Sequence, residues 1–231
     1  FDTANKEVFI DIIMPSAPTN FVCLYDTTKY IQFMFLSMAL CRGLKGRNRM
    51  NLQIKDELIP GTKLHRADMG GATGIEFLRK MFFISNGVML SQIREVSGID
   101  GSTLQNWTKR GWVANSRLKK YDMNQVAHIL IINMLRSCMQ LDKIAFLIQY
   151  INGKVDDRSD DIIEDSVLYD YICKILDTLM TYDVCSLGSI RGAIEDVTDD
   201  YTESIAGAKI RLTNALEIIV VAYYASLIKG Y

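Results

Sequence analysis

The chain has 231 residues, 49% apolar and 23% charged, with a formal net charge of −1. That composition is ordinary for a soluble globular protein with one good core or two small ones, and the balanced charge by itself predicts no nucleic-acid partner. Three prolines, with apolar residues at three-to-four spacing, predict a mainly α fold.

Residues 1–49 begin at Phe1 and settle into no helical or strand period. One codon spelling of Lys45-Gly46-Arg47, just ahead of Met50, resembles a bacterial ribosome-binding sequence. The stretch therefore reads either as translated upstream sequence before a native start at Met50 or as a loosely structured N-terminal extension. Its longest apolar run, Tyr30 to Cys41, falls short of the roughly 20 residues of a membrane helix, and no small-residue cleavage site follows it. Residues 50–85 form a packing segment. Pro60-Gly61 and Gly70-Gly71 punctuate a loop, and a short helix over 74–84 sets Ile75, Leu78, Met81 and Phe82 on one face.

From 88 to 152 the period is clear. Leu90, Ile93 and Val96 mark a helix ending at Gly98, and Leu104 and Trp107 a second ending at Gly111. A short basic stretch, 112–121, precedes a third helix over 123–139. That helix is apolar nearly all round, and so must be buried as a spine. Leu141, Ile144, Leu147, Ile148 and Ile151 give a fourth, stopped by Gly153. Beyond it lie two more helices, about 165–182 and 200–229, with Gly230 as the last stop. Charge is segregated along the chain. Residues 79–120 hold eight basic and two acidic residues, whereas 153–203 hold fourteen acidic and four basic.

The segment Leu90-Ser-Gln-Ile-Arg-Glu-Val-Ser-Gly98-Ile-Asp-Gly-Ser-Thr-Leu104-Gln-Asn-Trp107-Thr-Lys-Arg-Gly111 has helix-turn-helix punctuation. Gly98 can take the left-handed conformation between the helices. Asp100 sits as an N-cap for the amides at 102 or 103. Ser102, Thr103, Gln105 and Asn106 then occupy the first turns of the second helix, where short polar groups suit base edges and phosphates in a major groove. Lys109 and Arg110 end that helix, and Arg117, Lys119 and Lys120 follow in the basic stretch. Five cations in twelve residues are what phosphate neutralisation needs.

These residues resemble a known arrangement. Val88 to Gly153 looks like the N-terminal domain of MerR-type regulators, with a helix-turn-helix, a short wing over Val113 to Tyr121, and two further helices. Gly101-Ser-Thr-Leu-Gln-Asn-Trp-Thr-Lys-Arg-Gly-Trp-Val113 and Tyr150-Ile-Asn-Gly-Lys-Val-Asp-Asp-Arg-Ser-Asp-Asp161 more specifically resemble a bacterial family known as domain of unknown function 1836, over about residues 50–185. The resemblance implies a MerR-like winged helix-turn-helix at 86–153, an acidic helical region at 154–231, and a transcription-regulatory role. It implies no ligand. Three features depart from the MerR pattern: Arg94 stands where a small residue is usual, Gln105-Asn106 replaces Arg-Tyr, and the wing is a few residues short.

The blander readings are structural. Trp107 is core by its period with Leu104, Trp112 and Tyr121 anchor the wing, and His128 is a hydrogen-bonded core histidine. The acidic run 156–165 lacks the spaced ligands of a calcium loop and reads as a solvated linker. No Cys-x-x-Cys occurs, His65 and His128 have no cysteine at ligand spacing, and five cysteines (Cys23, Cys41, Cys138, Cys173, Cys185) without pairing argue against disulfides and secretion. Cys173 with Cys185 could hold a metal, but buried thiols are the simpler reading. With no phosphate loop and no nucleophile elbow, neither an enzyme nor a cofactor is expected.

Three functions stay open. The first is a cytoplasmic regulator binding double-stranded DNA, as a homodimer through its apolar C-terminal helix. The second is a protein-interaction module with an acidic partner surface. The third is a small-molecule sensor lined by Tyr169, Tyr171, Tyr201, Tyr223 and Tyr224.

Overall fold

A computed structural model describes residues 57–83, 86–155, 157–182 and 186–229. The expectations for residues 1–49, Cys185 and Gly230 lie outside them. Among the described residues the elements run α1 (Gly74–Phe82), β1 (Val88–Met89), α2 (Leu90–Ser97), α3 (Gly101–Lys109), β2 (Lys120–Tyr121), α4 (Met123–Leu135), α5 (Leu141–Asn152), α6 (Asp165–Leu179), α7 (Leu187–Val197) and α8 (Ala208–Lys229). The fold is mainly α. Its small sheet is antiparallel and pairs Val88 with Tyr121 and Met89 with Lys120.

Helix α4 is the spine that its apolar sequence requires. Ala127, Ile129, Ile131 and Leu135 are fully buried, and α1, α2, α5, α6 and α8 all pack on it. Asp122 caps it, accepting from the Gln125 amide at 2.9 Å while the Gln125 side chain accepts from the Asp122 amide at 3.0 Å. This reciprocal capping box fixes where the spine begins. The helix ends at Leu135, four residues before the 139 read from sequence. There the amides of Cys138 and Met139 both turn back to the Leu135 carbonyl, and the Ser137 hydroxyl takes the Met134 carbonyl.

The segment before β1 is locked under the spine. A side chain at Gly61 would collide with the Leu130 carbonyl, and φ there is +76°, so only glycine fits. The Asn133 amide donates to the Gly61 and Ser97 carbonyls, and the Tyr169 hydroxyl to the Pro60 carbonyl at 2.7 Å. Helix α1 packs on α6 with Gly74, Phe77 and Leu78 buried, so only Leu78 of the expected face is buried and Ile75, Met81 and Phe82 are half-buried. The reason lies in the first turn, where the Asp170 carboxylate accepts from the Ile75 amide at 2.9 Å. That contact presses Gly74 against α6, so the buried face is counted from Gly74 at i, i+3 and i+4.

The C-terminal half departs further from expectation. Helix α6 stops at Leu179, and α7 falls between the two helices read from sequence, where no element is predicted. Gly188 and Gly192 dilute its helical signal, yet Ser186 caps it and Ile190, Ala193 and Ile194 are buried on one face. Helix α8 starts at Ala208 instead of about 200, because Gly207 takes φ +80° and Ile205 is 52% exposed. By length and composition α8 could cross a membrane. In the fold it is a core helix, with Leu212, Ala215, Leu216, Ile219 and Val220 fully buried against α5, α6 and α7. The Arg191 guanidinium grips Glu217 through two bonds, at 3.1 and 3.0 Å, and Arg211 donates to the Ile151 carbonyl at the end of α5. The apolar run Ile218 to Tyr224 is thus largely satisfied within the chain.

Of the five tyrosines read as a pocket lining, Tyr169 and Tyr223 are buried, and the Tyr201 hydroxyl donates to the Ile162 carbonyl. Cys173 is a buried free thiol pushed up to about 12 by burial, so it stays protonated and inert.

Candidate nucleic-acid interface

Helices α2 and α3 are joined by the turn Gly98 to Asp100. Gly98 takes φ +71° and its amide closes on the Arg94 carbonyl, ending α2. The Asp100 carboxylate then accepts from the Thr103 amide at 2.9 Å and starts α3. Arg94, the bulky residue at this crossing, is exposed, and its stem lies within reach of any side chain added at Gly101. Ile93, Ile99, Leu104 and Trp107 are all buried at 2% exposure or less, so the pair turns its apolar side inward, with α2 packed on the spine.

The polar side of α3 separates into two groups. Ser102 and Thr103 both donate their hydroxyls to Asp100. These bonds hold the Asp100 carboxyl well below the usual carboxylate range and commit both hydroxyls to the cap. Gln105, Asn106, Lys109 and Arg110 are exposed. The Arg110 guanidinium lies 4.9 Å above the Trp112 ring, which orients it while leaving its charge outward. Of the four short polar residues read as base-facing, Gln105 and Asn106 are the two with exposed side chains and no competing role in the cap.

Residues 113–121 fold into a hairpin. Arg117 and Lys120 exchange two backbone bonds of 2.9 Å, leaving Leu118 and Lys119 as the two-residue tip. Arg117, Lys119 and Lys120 are exposed around it. The base is clamped from three sides: Tyr121 is buried and pairs with Val88, the Trp112 amide donates to the Trp107 carbonyl, and the Gln125 side chain donates to the Asn115 carbonyl.

His128 adds a fourth clamp. Its Nε2 faces the Trp112 carbonyl at 2.8 Å and its Nδ1 faces an Asp165 carboxylate oxygen at 3.0 Å. A carbonyl can only accept, so Nε2 carries a proton, and the carboxylate calls for a second on Nδ1. Burial works against the charged ring, but Asp165, the Trp112 carbonyl and nearby Asp161 outweigh it and raise the pKa. A small cleft beside this pair is lined by Val113, Gln125, Asn152, Arg158 and Asp161. Asp161 is pushed up to about 6, first by burial and then by its acidic neighbours Asp165 and Asp160. His128 was legible as a bonded core residue. Its partners and the Gln125 clamp were not, although Asp122-x-x-Gln125 is a sequence-level capping signal.

From Gly101 to Tyr121 the chain carries five cations and no carboxylate. All five are exposed, on one helix and one adjoining hairpin. Among the described residues the acidic side chains of the C-terminal half do not cover them.

Residues 81–172 match the family described as "Domain of unknown function (DUF1836)". That stretch takes in α2, α3, the hairpin, the spine, α5 and the first part of α6, and is narrower than the 50–185 read from sequence. The chain is also 25% identical over 122 residues to "Uncharacterized protein YkrK" of Bacillus subtilis (strain 168), covering 51% of this chain and 52% of that protein. It therefore spans about half the length of this curated relative. No solved structure matches the chain.

Proposed function

We propose that this protein is a cytoplasmic DNA-binding transcription regulator built on a MerR-like winged helix-turn-helix. In this reading α2 and α3 are the two helices of the motif, and α3 enters a major groove with Gln105 and Asn106 toward base edges. The 113–121 hairpin is the wing, and Lys109, Arg110, Arg117, Lys119 and Lys120 neutralise phosphates. The observation that carries it is the set of five exposed cations, with no carboxylate, between Gly101 and Tyr121, beside which a charge total of −1 is uninformative.

Because α8 buries its apolar face within the chain, a homodimer does not follow from that face. It stays part of the proposal through the symmetry that paired half-sites would show. Selection of bound sequences from a random duplex pool tests both. Enrichment of one motif supports the regulator, and a palindromic pair of half-sites supports the dimer. A pool that stays random through repeated rounds contradicts sequence-specific binding and favours the protein-interaction module, whose exposed surface includes Glu195, Asp196, Asp199 and Asp200.

A further inference from the structure

The tip of the hairpin combines three features that a purely structural turn would avoid. Both tip residues have positive φ, Leu118 at +50° and Lys119 at +60°, as a two-residue hairpin turn of this hand requires. Elsewhere among the described residues, positive φ falls on glycine. Asparagine followed by glycine would form this turn with little strain, whereas leucine is penalised in the left-handed conformation through its Cβ. Finally, Leu118 is 97% exposed, so it recovers nothing by packing within the chain. An outlier that costs stability and gains none inside the fold points to a role outside it.

The surroundings specify what that role would be. Arg117, Lys119 and Lys120 flank the leucine, and no carboxylate lies between Gly101 and Tyr121, so the partner is an anion. A two-residue tip is narrow enough for a minor groove, about 6 Å wide, which no helix can enter. The mount is rigid, since strand pairing, Gln125 and His128 clamp the base of the hairpin. Apolar side chains on cationic, rigid elements act as wedges that part base steps from the minor-groove side.

We propose that Leu118 is such a wedge, inserted from the minor groove at a pyrimidine–purine step, where unstacking is easiest. This role rests on the DNA-binding reading and adds a specificity-determining residue to it. Sequence preference would then arise partly at a step that α3 does not touch.

The test uses duplexes of about 25 base pairs with a central TpA step, or with the step replaced by a stiff A-tract. A fluorescent adenine analogue at the step reports unstacking. The full chain should bind the TpA duplex more tightly and raise the fluorescence. Leu118→Asn should keep or improve thermal stability, because asparagine tolerates the left-handed region. It should nevertheless lose the fluorescence change and about tenfold in affinity for the TpA duplex, with the salt dependence unchanged. Leu118→Met should restore both. If Leu118→Asn binds and unstacks the step as the natural chain does, the wedge is wrong while DNA binding stands. If the natural chain shows no salt-dependent binding to either duplex, the regulator reading falls and the wedge with it.

Discussion

The helical half from Asp165 onward and the lobe from Val88 to Tyr121 use charge in opposite ways. In the helical half four carboxylates hold the fold together. Asp165 holds His128, Asp170 holds the start of α1 and Lys174, Asp177 holds Arg66 and Thr73, and Glu217 holds Arg191. In the lobe, Lys109, Arg117 and Lys119 make no ion pair among the described residues, and Arg110 is oriented by an aromatic ring instead. Charges engaged within the fold cannot bind a partner, and charges withheld from it can. The difference separates the two regions into a scaffold and the surface proposed for contact.

The largest effect that can break this contrast is removal of the lobe's anchor. Trp107, on α3, is 2% exposed, and the Arg136 guanidinium just past the end of the spine lies 6.0 Å from its ring centre. Trp107→Ala should destabilise the protein by about 3–5 kcal/mol, read as a lower urea midpoint. An effect near zero would mean that the lobe is not packed as a unit with the rest.

Next comes the link between the two regions. His128→Ala leaves Asp165 without its partner and should cost about 3 kcal/mol. The ring's pKa is raised above its ordinary 6.5 in the fold, so its contribution is fully present below about pH 6.5 and is lost as pH rises through the higher folded value. Urea midpoints of the natural chain should fall over that alkaline limb, and those of His128→Gln should be flat there. Asp161, raised from 3.8 to about 6, adds a separate drop in stability as pH climbs from about 4 to 6. Asp161→Asn should remove that limb and move the His128 limb to lower pH, because Asp161 helps to raise the histidine.

Two smaller effects sharpen the comparison from the contact surface. Gln105→Ala or Asn106→Ala should cost about 1–3 kcal/mol on one preferred base and little on random DNA, measured by competition binding. Lys119→Ala should weaken binding almost equally on all sequences. Its salt slope should be shallower by about 0.9, the share of a single neutralised phosphate.

Much of the contact lobe was legible in the sequence, because its signals are local. Gly98 as a left-handed stop, Asp100 as a cap and Leu104 with Trp107 as a buried pair each depend on residues within one or two turns. For Ser102 and Thr103 a second local contact was not legible. Their polarity suits DNA, but the carboxylate two and three residues earlier takes both hydroxyls. Helix α7 stayed hidden because Gly188 and Gly192 lower its propensity, and its stability comes from packing on α6 and α8. The face of α1 depended on Asp170, nearly a hundred residues away, which no spacing rule could show. The strain at Leu118 is a backbone property, invisible until the hairpin closes.

The most direct measurement is the affinity of the full chain for mixed-sequence duplex DNA as salt rises. With Lys109, Arg110, Arg117, Lys119 and Lys120 all on phosphates, log affinity should fall against log salt with a slope of about −4 to −5. A slope near zero would contradict a phosphate-binding surface on α3 and its hairpin.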